Sequence, residues 1–171
     1  YVGLFGYVGV GGQVRNLGLV GGAVTGNEYV GGLVGDNNGP VSNCYATGAV
    51  SGDLYVGGLV GDNSSGTVSN CYATGAVTGN QYVGGLVGYN YSGTVSYSGT
   101  VSDCYATGAV TGDDSIGGLV GYNDFGTVSS CYATGAVTGT GDFVGGLVGD
   151  NDEGTVSNSY WDMQTSGQST S

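Results

Sequence analysis

Short apolar runs and polar turns alternate along this chain in a unit far longer than one helical or strand period. Within one unit, Tyr55-Val-Gly-Gly-Leu-Val60 is apolar and Asp62-Asn-Ser-Ser-Gly66 is a turn by composition. Thr67-Val-Ser-Asn-Cys-Tyr-Ala-Thr74 then alternates in the manner of a strand. Gly75 permits a bend, Ala76-Val-Thr78 extends again, and Gly79-Asn80 turns back. No 3.6-residue period joins the apolar positions, and glycine inside a helix costs about 1 kcal/mol. The pattern predicts two or three short strands per unit and no helix.

The unit recurs. Gly-Gly-Leu-Val-Gly begins at Gly31, Gly57, Gly84, Gly117 and Gly145, and Val2-Gly3-Leu4-Phe5-Gly6 is a degenerate first copy. Val-Ser-Asn-Cys-Tyr-Ala-Thr-Gly-Ala-Val runs from Val41 and again from Val68, with close variants at Val101 (Asp103 for Asn) and Val128 (Ser130 for Asn). One interval is longer because Tyr-Ser-Gly-Thr-Val-Ser is duplicated in tandem at Tyr91 and Tyr97. Loop-closure entropy grows only slowly with length, so such an insert is expected on the outside, over residues 91–99.

A period of about 27 residues with short strands fits an all-β fold, a parallel β-solenoid of about six coils. Like positions would then stack about 4.8 Å apart, giving a rod roughly 29 Å long. Glycines would let the backbone turn sharply and let opposite walls of a thin coil approach. The competing layout, an antiparallel up-and-down sheet, needs hairpin turns, yet Asn38-Gly39 is the only Asn-Gly pair. The units are read as residues 1–26 (a degenerate repeat or cap), 27–52, 53–79, 80–112, 113–139 and 140–162, with 163–171 as a tail. A start at Tyr1 reads as a processed chain or a fragment.

Composition narrows the picture. Forty glycines stand against one proline, and fourteen tyrosines recur in register, as they would not in a disordered linker. Arg15 is the only cation against thirteen carboxylates, for a net charge of −12. That charge opposes nucleic acid and anionic membranes, and no apolar stretch is long enough to insert in a bilayer. With no histidine, no lysine and no singular nucleophile, the chain is expected not to be an enzyme and to need no cofactor.

Gly-Gly-Leu-Val-Gly-Asp/Tyr-Asn followed by Gly-Thr-Val-Ser-Asn-Cys-Tyr-Ala-Thr-Gly resembles the GLUG repeat, from about Val2 to Trp161. The tail motif Asn158-Ser-Tyr-Trp-Asp162 with Thr165-Ser-Gly-Gln168 looks like the close of such an array. The resemblance implies a spacer, adhesive or assembly role in a secreted, surface-exposed protein. Leu17 stands where the repeat expects cysteine, which marks the first unit as a cap or an interface.

In a stack, every repeated position becomes a column. Cys44, Cys71, Cys104 and Cys131 form one, continued by Ser159; at rung spacing they are disulfide candidates, paired 44–71 and 104–131, or else a buried thiol ladder. Asn37, Asn63, Asn90, Asn123 and Asn151 form an amide ladder. Its functional alternative is Ca²⁺ at the turns, above all at Asp150, Asn151, Asp152 and Glu153. Asn63-Ser-Ser65 and Asn90-Tyr-Ser92 match the glycosylation sequon. Tyr45, Tyr72, Tyr105, Tyr132 and Tyr160 form an aromatic stripe, with a second set at Tyr29, Tyr55, Tyr82 and Phe143. Such stripes stack on sugar rings or a neighbouring rod, or pack rung on rung within the chain. Two functions follow as expectations. One is an extracellular structural subunit that self-associates end to end or laterally into fibres. The other is an adhesin segment binding glycans or other cell-surface proteins.

Overall fold

The computed structural model describes residues 1–92 and 99–171, and in it the chain winds as a parallel β-solenoid of six coils. Five strands make a coil. In the coil that opens at Leu54 they are Leu54–Gly57, Val60–Asn63, Thr67–Ser69, Tyr72–Ala73 and Val77–Thr78. Like lies over like: Val56 sits between Val30 and Val83, Val68 between Val41 and Val101, Tyr72 between Tyr45 and Tyr105.

Five strands replace the two or three expected because two corners fall inside runs that read as single strands. Asn70 has a left-handed backbone (φ 52°), as do Asn43, Asp103, Ser130 and Asn158 at the same place in other coils. Asn and Asp tolerate that conformation by hydrogen bonding locally, so the alternating run breaks there. The Gly-Gly-Leu step makes the second corner, between Gly57 and Val60.

The interior is two apolar columns. Leu59, Val60, Val68, Cys71 and Ala73 belong to one, Val56 and Val77 to the other, each repeated through the stack. Between them the walls touch. A Cβ on Gly58 would lie 2.9 Å from the methyl of Ala73 and would strike the Gly85 carbonyl of the next coil. Only glycine fits that waist.

The expected outward loop of the duplicated segment falls largely on residues 93–98, outside the described residues. Its flanks rejoin the stack: Gly99 N donates to Tyr91 O at 3.1 Å, and Thr100–Ser102 pairs in register with Thr67–Ser69 and Thr127–Ser129. At the first coil, Leu17 takes the cysteine's place against the core, and its carbonyl accepts from Tyr45 N at 3.0 Å, as that of Cys44 accepts from Tyr72 N.

The other end departs from the expectation of no helix. Trp161 stands in the alanine column opposite Ala133, and in the tail Met163–Ser166 forms one helical turn. Asp162 caps that turn by accepting from Gln164 N and Thr165 N, and Gly167 (φ 72°) closes it. Residues 168–171 then fold back on the chain's own last coil.

Candidate functional site

Among the described residues the chemistry repeats in columns, and the candidate site is that set of side-chain columns. The outermost is the tyrosine column. Cys71 points into the core and Tyr72 out of it, because successive strand residues face opposite ways. Tyr45, Tyr72, Tyr105 and Tyr132 stack with ring centroids 4.8–4.9 Å apart and planes within 1–5° of parallel. Ring faces are therefore spent on neighbouring rungs, and what points outward is a row of phenol edges. The stripe is an intramolecular ladder, and sugar rings cannot slide between its members. At one end Gly18 leaves room for the Tyr45 ring; at the other Tyr160 is 70% exposed. Burial first, then the neighbouring phenols Tyr132 and Tyr72, raise the Tyr105 pKa.

A second face combines rings with carboxylates. Tyr29, Tyr55 and Tyr82 all have left-handed backbones (φ 54–55°), a costly conformation for a bulky residue. Their rings stack at 4.8 and 5.2 Å. Ser115 takes the next rung, so the stack passes sideways to Tyr122, 5.3 Å from Tyr82, and Phe143 stands outside it, exposed. Beside this stack runs a column that holds Asp36, Asp62, Tyr89, Tyr122 and Asp150 on successive rungs. Tyr89 donates to Asp124 at 2.7 Å and Tyr122 to Asp152 at 3.4 Å.

Asp36 and Asp62, each 6% exposed, face one another one rung apart. Ser64 Oγ donates to both, at 3.3 and 3.0 Å, and Asn38 Nδ2 donates to Asp36 at 3.0 Å. Among the described residues, Asp62 Oδ1 has no hydrogen-bond partner. Burial, with the Asp36 charge adding to it against the Ser64 bond, pushes the Asp62 pKa up to about 7. Burial raises Asp36 as well. Composition placed Asp62 in an exposed turn; it lies at the buried end of a strand. The signal available in the sequence was the residue after Gly-Gly-Leu-Val-Gly, which switches between Asp and Tyr from repeat to repeat.

The asparagines run as a ladder through the coil interior. Asn37, Asn63, Asn90 and Asn123 each donate from Nδ2 to Oδ1 of the next, at 2.6–2.8 Å. A second bond from Asn63, Asn90 and Asn123 reaches the carbonyl of Gly66, Gly99 and Gly126. Asn63 and Asn90 are fully buried with their amides engaged, so the folded chain does not offer them for glycosylation. Nor do Asp150, Asn151, Asp152 and Glu153 gather as a Ca²⁺ site. Asn151 belongs to the ladder, Asp152 accepts from Tyr122, and Glu153 turns on a left-handed backbone (φ 50°). Among the described residues no three His, Cys, Asp or Glu side chains converge.

The cysteines are buried free thiols, which corrects the disulfide expectation. In-register rungs give equivalent side chains parallel Cβ directions, and parallel vectors one rung apart do not bring two sulfurs to bonding distance. Each thiol does other work. Cys71 Sγ accepts from Cys44 N at 3.3 Å and donates to Ser69 O at 3.1 Å; Cys104 Sγ accepts from Cys71 N and donates to Ser102 O. Ser159 closes the column, its Oγ accepting from Cys131 N at 3.1 Å. Burial raises the Cys44 pKa, and bonds to the neighbouring thiols push Cys104 up.

Against known proteins, the model of the GLUG motif matches four consecutive blocks, residues 26–51, 52–78, 79–111 and 112–138. No curated protein and no solved structure matches the chain.

Proposed function

Because the chain belongs to the GLUG-motif repeat family, we propose that it is a rigid, non-catalytic structural segment of an extracellular surface protein. One observation carries this reading: three columns of repeated side chains, one of phenols, one of amides and one of thiols, take their own copies in the next coil as partners. The phenol ladder, the amide ladder and the thiol ladder all run along the axis and tie each coil to the next. Such a chain resists extension coil by coil, as a quasi-one-dimensional stack does. Held by its two ends in a single-molecule stretching experiment, it should stay folded and then give way in steps of about one coil. Smooth extension at low force would remove the reading.

A second reading, adhesion, is favoured by the face that gathers Tyr55, Tyr82, Tyr89 and Tyr122 with Asp62, Asp124 and Asp152. Phenol edges and carboxylates there suit hydroxyl-rich glycans or basic protein surfaces. Immobilised glycans and matrix proteins test it: retention lost in Tyr122→Ser, with melting nearly unchanged, supports adhesion. Equal retention of both chains counts against it.

A further inference from the structure

Of the two aromatic stacks, only one is regular. Tyr45, Tyr72, Tyr105 and Tyr132 are near copies of one another by translation. Their ring centroids lie 4.9, 4.8 and 4.9 Å apart, with planes 1°, 4° and 5° from parallel. The backbone repeats with them: Tyr72 pairs with Tyr45 and Tyr105, and Tyr105 with Tyr132. Each ring carbon therefore lies about one rung from its own equivalent. In the second stack neighbouring planes diverge by 10–37°, and the hydroxyls of Tyr89 and Tyr122 are tied to Asp124 and Asp152. Among the described residues no hydrogen bond holds the hydroxyls of the first column. Its outer edges are open to solvent: Tyr45, Tyr72 and Tyr105 are half-buried and Tyr132 is 43% exposed.

Stacking alone does not require a hydroxyl, and phenylalanine, which the chain carries at exposed Phe125 and Phe143, would pack as well. What the hydroxyl adds is chemistry. Loss of one electron and the phenol proton leaves a tyrosyl radical, its unpaired spin shared between the oxygen and the ring carbons beside it. Parallel rings at this separation pass the radical from rung to rung, so two oxidations anywhere in the column end on neighbours. We propose that Tyr45, Tyr72, Tyr105 and Tyr132 form an oxidative modification site. There a peroxide-driven one-electron oxidant joins neighbouring phenols into dityrosine and so bonds coil to coil. The new bond joins one Cε of each ring. The hydrogens displaced from those carbons move to the oxygens and restore both phenols, so the pair has lost two hydrogen atoms in all. Hydrogen peroxide takes them up and leaves as two waters. Bonding draws the joined carbons in from rung spacing, and the open outer edges leave the rings room to tilt. Held neighbours react at an effective concentration far above that of a dilute chain.

A haem peroxidase with hydrogen peroxide, acting on the dilute full chain, tests this. Dityrosine fluorescence should appear in the monomer fraction, with an intact mass lower by two hydrogens per link. Peptide mapping should place the links between Tyr45 and Tyr72, Tyr72 and Tyr105, and Tyr105 and Tyr132. Tyr72→Phe combined with Tyr132→Phe breaks all three pairs. Yield within the chain should then fall about tenfold or more, because no two neighbours are held together, with an unchanged circular-dichroism spectrum. Tyr55→Phe combined with Tyr122→Phe should leave the yield as it was. Links found only between molecules overturn the proposal, as does a yield indifferent to Tyr72→Phe with Tyr132→Phe. Should the peroxidase form no link, photo-oxidised ruthenium tris-bipyridine, with persulfate as electron acceptor, reaches half-buried rings that an enzyme does not. Absence of links within the chain then overturns the proposal. Neither result bears on stretching behaviour or glycan retention, so the structural and adhesive readings stand or fall separately.

Discussion

The indole of Trp161 lies on the backbone of Gly146, at the position where each of the four preceding coils sets an alanine against a glycine. Alanine fits the internal waist because two walls must touch while coils continue above and below. Tryptophan fits the last coil because its ring also roofs the open core, packing against the larger apolar column. One position of the repeat thus serves as spacer inside the stack and as lid at its end.

That waist predicts a graded response to an added methyl. In Gly85→Ala the new Cβ would strike the Gly118 carbonyl and the Ala106 methyl, and neither can move without shifting a coil. A loss of about 2–3 kcal/mol is expected in urea denaturation. In Gly146→Ala the obstacle is the Trp161 side chain, which can swing aside. The loss should be smaller, with a red shift in the emission of this single tryptophan.

The amide ladder predicts a cost out of proportion to the atoms removed. Asn90→Ala deprives Asn63 Nδ2 of an acceptor and Asn123 Oδ1 of a donor, both in the interior. Stranded buried polar groups cost about 1–3 kcal/mol each. A fall of about 3 kcal/mol or more in unfolding free energy is expected, well beyond that of an exposed substitution such as Asn27→Ala.

Buried thiols should be silent. A thiol-reactive dye is expected to label none of Cys44, Cys71, Cys104 and Cys131 in the folded chain and all four in denaturant, with and without prior mild oxidation. Because Ser159 already plays the thiol's part for Cys131 N, Cys71→Ser should fold and lose no more than about 2 kcal/mol.

Stability should fall from mildly acidic to neutral pH. Asp62, with a pKa near 7 against an ordinary value of 3.8, keeps its proton in the folded chain after the unfolded chain has lost it. Its stabilising contribution is therefore full below about pH 4 and lost as pH rises through 7. Asp36 and Asp150, also raised, act in the same direction. Thermal melts between pH 4.5 and 7.5 should show the decline, and Asp62→Asn should flatten it. At the alkaline end, Tyr122, pushed up to about 12 by burial and Asp124, keeps its proton after the unfolded phenol ionises near 10. Stability should fall again above pH 10.

Periodicity alone determined the repeat, the parallel stacking and the identity of every column, since only like residues over like let one phrase recur almost unchanged from Gly31 to Gly145. The direction of Cys against Tyr was equally legible, because strand residues alternate. Tertiary structure decided what each column does. Whether two cysteines bond depends on where their Cβ vectors point, and in-register rungs make them parallel. Whether Asn63 is a surface acceptor or a core rung depends on which wall it meets, and Asp62 became a buried acid for the same reason. Nothing local in Thr170 and Ser171 announces a cap; they become one only because the chain returns to its last coil, where Gly146 N donates to Thr170 O and Leu147 N and Val148 N donate to Ser171 Oγ. Columns are a property of the repeat, whereas partners across a coil and at its ends belong to three-dimensional packing.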